Sequence, residues 1–150
     1  IFINSLLIKI IVKDKIEMAG NNYDEILLPI FADPIFLLTN LLGAINVQVK
    51  GNDFTAEIPL STLLGRATMI AYGKILTSAN IITYVVNIAG YGGDKGGKIK
   101  VTINSGKIII EVELDVPLSF LNSRVIKEKI SEFRNRADEL IRLERIKRKI

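Results

Sequence analysis

The sequence contains no cysteine, no histidine and no tryptophan. Without cysteine there is neither a disulfide nor a thiolate metal site. Without histidine the commonest general base at neutral pH and the commonest zinc ligand are missing as well. Catalysis would fall to carboxylates, lysine, tyrosine or hydroxyls, so binding is expected ahead of chemistry, with no catalytic residue assigned. Aromatic residues make up only 7%, and basic residues are not interleaved with them as single-stranded nucleic acid requires. Positive charge is not spread over the chain either. Five of the 20 basic residues, Arg142, Arg145, Lys147, Arg148 and Lys149, fall in the last nine positions beside a single acid, Glu144, and the remainder is balanced. A pI near 9.3 therefore describes a tail, not a nucleic-acid-binding surface. Neither nucleic acid nor any cofactor or metal is expected.

Apolar residues are what the chain has in excess. They form 49% of its 150 residues, and the mean hydropathy is +0.33. Ile and Val, which suit a half-buried pleated surface, supply much of this. The length fits one domain over 1–150, able to bury roughly 70% of its unfolded surface. The apolar run 1–12 has no positive start and no small-residue cleavage site, so a strand is expected there, not a leader. Residues 26–49 hold one charge, Asp33, but Pro29, Pro34 and Asn40 make a membrane span costly. The expected location is the cytoplasm, at a membrane periphery if the basic tail docks there.

Periodicity gives the elements. Over 6–18, Leu6, Ile8, Ile10, Val12, Ile16 and Met18 share one face and Lys9, Lys13, Lys15 and Glu17 the other, a strand with one wet side. Asp14 falls on the apolar side, where a bulge or strand end would let it reach water. Asn21-Asn22 are read as caps for a helix running to about Ala32, with Asp24 and Glu25 in its first turn and Pro29 awkward inside it. Asp33-Pro34 reads as an N-cap and first helical residue, opening a second short helix over 34–42 that stops at Gly43. Strands follow at 45–50, 54–58, 66–76, 80–89, 98–103 and 107–116, with a loop at 59–65 and a turn at Asn104-Ser105-Gly106. That makes seven strands, six of them consecutive. Pro117 ends the sheet, and a helix begins near Ser119 or Ser123. Its stripe of Ile126, Ile130, Phe133, Ala137, Leu140 and Ile141 then meets Glu144, Lys147 and Arg148. The core-facing seam therefore ends near Ile141, and 142–150 forms a basic helical tail.

Candidate motifs divide unevenly. Gly92, Gly97 and Lys98 match the spacing of a phosphate loop, but Ile99 replaces the magnesium-holding hydroxyl and a strand follows, so a flexible loop over 90–97 is expected. Glu111, Glu113 and Asp115 lie opposite the apolar face and read as a solvated surface, not an acid–base pair. The aromatic residues suit either core packing or a pocket lining. The alternation of cations with Leu143, Ile146 and Ile150 suits either an anionic membrane surface or a solubilising helix end.

The order strand, two short helices, six strands and long helix resembles the helix-grip fold of the Bet v 1-like, START and polyketide-cyclase superfamily (SRPBCC) over nearly the whole chain. The run 26–34 looks like its first helix ending in an Asp-Pro corner. The stretch 90–97 looks like the glycine-rich part of the branch named for the G-type subunit of carbon monoxide dehydrogenase, and the pattern is also compatible with small archaeal families of the fold. Pro29 and the 59–65 loop depart from the usual pattern. The resemblance implies an α+β fold in which a curved seven-stranded antiparallel sheet wraps a long C-terminal helix. It also implies an apolar cavity holding a lipid, quinone or polyketide-like molecule, of roughly 300–1,000 Å³ as small-molecule sites run. Phe31, Phe36, Phe54, Tyr84, Ile110, Val112, Ile130 and Phe133 are the expected lining, with Tyr84 as polar anchor. Alternatives are a cyclase or hydrolase using Asp14 as base and Tyr84 as donor, and an accessory protein docking on a membrane or redox enzyme through Arg142, Arg145, Lys147, Arg148 and Lys149. The oligomeric state is left open.

Overall fold

Alternating apolar residues become strands because each can bury one face against a helix. The computed structural model, which describes residues 10–62, 65–89, 96–116 and 120–150, has seven strands, and all but the edge strand over 45–50 bury one face. The strands are β1 (Ile10–Ala19), β2 (Ile45–Lys50), β3 (Asp53–Thr62), β4 (Gly65–Ser78), β5 (Ile81–Ile88), β6 (Gly96–Asn104) and β7 (Lys107–Val116). All pair antiparallel in the order β1-β7-β6-β5-β4-β3-β2. Helices α1 (Asp24–Phe31) and α2 (Pro34–Leu42) follow β1, and α3 (Phe120–Arg148) closes the chain. This is the helix-grip α+β fold. The part of the first expected strand before Ile10, most of the glycine-rich loop, and Pro117 with Ser119 lie outside the described residues.

The inner face of the sheet is apolar apart from Asp14 on the edge strand β1 and the Tyr84 hydroxyl. Phe54, Ala56 and Ile58 of β3, Ile82, Tyr84 and Val86 of β5, Ile99 and Val101 of β6, and Ile110, Val112 and Leu114 of β7 are buried. The outer face is polar where the acids were expected to be solvated. Glu113 stands between Lys13 and Lys98, and Glu111 between Lys15 and Lys100, in the registers of β1, β7 and β6. Opposite charges directly across neighbouring strands are the stabilising arrangement.

Two helix starts differ in kind. Asp33 caps α2 as expected, its carboxylate accepting the Ile35 N–H at 2.9 Å, with Pro34 at the first helical position. The α1 cap departs from expectation, for Tyr23 is the N-cap and no side chain caps the helix. Asp24 instead turns outward, accepting the Ser105 and Gly106 N–H groups at 3.0 and 2.6 Å and tying α1 to the β6–β7 turn. The turn expected at Asn104-Ser105-Gly106 is a two-residue hairpin, since Asn104 still pairs with Lys107, with positive φ at Ser105 (52°) and Gly106 (76°). Pro29 is accommodated because α1 is only 8 residues long, so a single hydrogen bond to Glu25 is forfeited. The α1–α2 pair bends by 75°, and no single helix among the described residues is long and apolar enough to cross a membrane.

Two expected loops are partly strand. The 59–65 loop shrinks, because β3 continues to Thr62, with Pro59 opposite Thr68 and Thr62 opposite Gly65. Beyond Glu57 no β2 residue pairs with β3, so Pro59 sits on a local edge, where its missing N–H does least harm. The glycine loop also ends earlier than expected, since Gly96 and Gly97 already belong to β6. Both have positive φ, and a Cβ there would collide with the carbonyl oxygens of Val86 and Glu113. Glycine is needed there for close strand approach, not for flexibility.

Candidate functional site

Helix α3 lies across the sheet's curvature. Its backbone comes close to β1 on one flank and β3 on the other, and packs on α2, with no comparable approach to β4, β5, β6 or β7 among the described residues. Side chains fill the intervening space. Ile126, Ile130, Phe133, Ala137 and Ile141 of α3 are buried as their spacing foretold, and Leu140 is half-buried.

The eight expected lining residues converge in this interior. Phe31 ends α1, Phe36 is in α2 and Phe133 in α3, and their rings meet edge to face, with centroids 5.5 Å apart for Phe31–Phe36 and 6.4 Å for each to Phe133. Edge-to-face rings at this spacing satisfy the aromatic quadrupole. Phe54 lies 6.0 Å from Tyr84. With Ile110, Val112 and Ile130, all eight are at most 3% exposed, so hardly any water-sized space adjoins them. The rings form a plug contributed by three different helices.

Tyr84 is the most polar group inside. Its hydroxyl donates to the Phe31 carbonyl oxygen at 2.6 Å, closing the end of α1 onto the middle of the sheet. Burial, and secondarily the negative charge of Asp33, push its ionisation well above the ordinary phenol range. The expected polar anchor is thus already engaged. Asp14 and Tyr84 are not brought together. Tyr84, Ile99, Val112 and Asp14 follow one another across β5, β6, β7 and β1, so three strand spacings, roughly 14 Å, separate them. Asp14 is half-buried in regular register on the edge strand, without a bulge, and its carboxylate accepts the Lys15 N–H at 2.9 Å.

The basic tail has a structural side. Arg148 pairs with Asp33, the cap of α2, and with Glu144 at 2.6 Å, while Arg145 donates to Asn22 Oδ1. Desolvation draws the Arg148 guanidinium down, but the hydrogen bonds and charges of Glu144 and then Asp33 outweigh it and keep it firmly protonated. The Asp33–Arg148–Glu144 cluster was not foreseen as a unit. Its signal was the arrival of Glu144 and Arg148 on the continuation of the buried stripe, where a charge needs a partner. Beside it, Asn22, Arg142, Arg145, Ile146 and Ile150 help line an open groove of about 630 Å³.

A curved antiparallel sheet gripping a terminal helix, with an apolar interior between them, is the helix-grip arrangement. A family model matches residues 12–150, and the chain belongs to the family that this model describes, which carries no stated activity. No curated protein matches it in sequence. Among solved structures, a hypothetical protein from Sulfolobus tokodaii superimposes with a TM-score of 0.74 at 21% identity, covering 91% of this chain and 99% of that one. A conserved protein from Geobacillus kaustophilus gives 0.59 at 16%, covering 88% and 95%. A STAR-related lipid transfer protein from Xanthomonas axonopodis gives 0.56 at 9%, covering 85% of each chain. At these identities the likeness is one of fold.

Proposed function

We propose that the protein carries or senses a hydrophobic small molecule, lipid-, quinone- or polyketide-like, taken up between the sheet and α3. The observation that carries this is the Phe31–Phe36–Phe133 plug. The sheet floor and α3 are held apart by rings that belong to separate helices, and a guest that parts them would meet an apolar lining without breaking a sheet hydrogen bond. The shared fold of a protein named as a lipid transfer protein supports the same reading. Phe31, Phe36, Phe54, Ile110, Val112, Ile130 and Phe133 would contact the guest, and Tyr84 would exchange its bond to Phe31 for one to the guest's polar end. Within the superfamily, the glycine-rich sequence 90–97 supports the carbon monoxide dehydrogenase-associated branch or an archaeal family of the same fold.

Titration with a fluorescent fatty acid tests the proposal, together with native mass spectrometry of protein purified from its host. Saturable binding is expected, tightened in Phe133→Leu, which removes part of the plug while keeping the core apolar. Absence of binding in both proteins, with no co-purified mass, would reject it.

A further inference from the structure

Of the twelve exposed large hydrophobic side chains among the described residues, seven are scattered over the strands and five meet at one end of the molecule. Tyr23 in the β1–α1 connection (76% exposed), Ile35 in the first turn of α2, and Leu143, Ile146 (63%) and Ile150 at the end of α3 all face solvent. The Arg145–Asn22 and Arg148–Asp33 contacts draw these three stretches together. Leu143 and Ile146 point away from Ala137 and Ile141 on the helix, and Arg142 and Lys147 flank them on either side. Past the helix, Lys149 turns left-handed (φ 59°), and the Lys149 and Ile150 N–H groups return to the Ile146 and Arg145 carbonyls at 3.2 and 3.1 Å. This closing motif fixes Ile150 beside the same end.

The charge at this end is divided in a way that matters. Arg145 and Arg148 are engaged within the fold, whereas Arg142, Lys147 and Lys149 are exposed and make no ion pair among the described residues. Several nearby acids are engaged within the fold: Asp24 accepts two backbone N–H groups, and Asp33 and Glu144 share the one guanidinium of Arg148. Glu139, one turn earlier, faces Arg136 at 4.0 Å. What remains outward is apolar side chains and the cations Arg142, Lys147 and Lys149, with the exposed carboxylates of Glu25 and Asp138 at the margin. Two copies of such a face would set like charges together, which disfavours self-association. An anionic bilayer accepts both features, with apolar side chains entering the headgroup boundary and cations reaching phosphates.

We propose that the end formed by Tyr23, Ile35, Leu143, Ile146 and Ile150, with Arg142, Lys147 and Lys149, is a docking face for an anionic membrane surface. The test is co-sedimentation of the full chain with vesicles of phosphatidylcholine alone or mixed with phosphatidylglycerol. Pelleting is expected with the anionic vesicles only. At about fivefold per cation removed, Arg142→Gln with Lys147→Gln and Lys149→Gln should weaken it about a hundredfold. Because the chain lacks tryptophan, Ile146→Trp gives a clean probe, and its emission should shift to the blue when anionic vesicles are added. Equal pelleting with neutral vesicles, no pelleting with either, an unmoved Ile146→Trp emission, or self-association in sedimentation velocity that Ile146→Asp abolishes would each overturn the proposal. The cation variants leave the interior untouched, so their fatty-acid titration should match the parent, which separates this proposal from the ligand-binding one.

Discussion

Between Ile126 and Ile141, α3 is held by apolar side chains that sink between sheet and helices; from Arg142 to Arg148 it is held by Arg145 on Asn22 and Arg148 on Asp33 and Glu144. The two stretches belong to one helix but obey different physics. Apolar burial scales with area and tolerates salt. Partly exposed ion pairs are directional, weak and screened. The front of the helix therefore supplies stability, while the rear fixes where the helix end points and leaves its outer side free.

The largest test of that contrast is Phe133→Ala. Removing a ring that touches both Phe31 and Phe36 should cost about 3–5 kcal/mol in urea unfolding. A loss below about 1 kcal/mol would mean that the front half is no better anchored than the tail.

That contrast was only half legible in the sequence. Period-two alternation placed β1, β2, β3 and β7, turn signals separated the other three strands, and the 3.6 period placed Ile126, Ile130, Phe133, Ala137 and Ile141 inward, because burial of one face leaves a repeating signature. Asp33-Pro34 was equally readable, since cap and proline chemistry is local. Pairings between distant residues leave no such trace. Asp24 on the Ser105–Gly106 turn, Tyr84 on the Phe31 carbonyl and Arg148 on Asp33 join positions at least 53 residues apart. The filling of the interior was hidden for a related reason: the same Ile, Val and Phe pattern serves a packed core and a lined pocket alike.

A middle-sized effect is expected from Tyr84→Phe, which probes where the apolar interior meets the polar corner. The Phe31 carbonyl loses its buried donor, at a cost of about 1–3 kcal/mol near pH 7. Burial raises the folded-state ionisation of Tyr84 above the ordinary phenol value of 10.0. Its contribution is therefore complete below pH 10 and is lost as pH rises toward the folded value. Above pH 10 the parent should lose about 1.4 kcal/mol per pH unit relative to Tyr84→Phe, closing the gap between them. A gap that stays constant to about pH 11.5 would contradict the engaged, un-ionised phenol.

Smaller effects should come from the ionic end, beginning with Arg148→Met, which keeps the stem and removes the charge. Side chains in this cluster are between 15% and 29% exposed, so the expected cost is about 1 kcal/mol at low salt, shrinking toward zero in 1 M NaCl. Asp33→Asn should cost somewhat less, because asparagine still caps α2 and only the ion pair goes. The double variant should cost little more than Arg148→Met alone, since both changes remove the same interaction. Hydrogen exchange gives the matching local readout. Amides of the last two turns of α3 should exchange faster in Arg148→Met, while those near Ile130 and Phe133 stay protected. Loss of protection along the entire helix would show that the ionic end and the apolar front unfold as one unit, erasing the division between them.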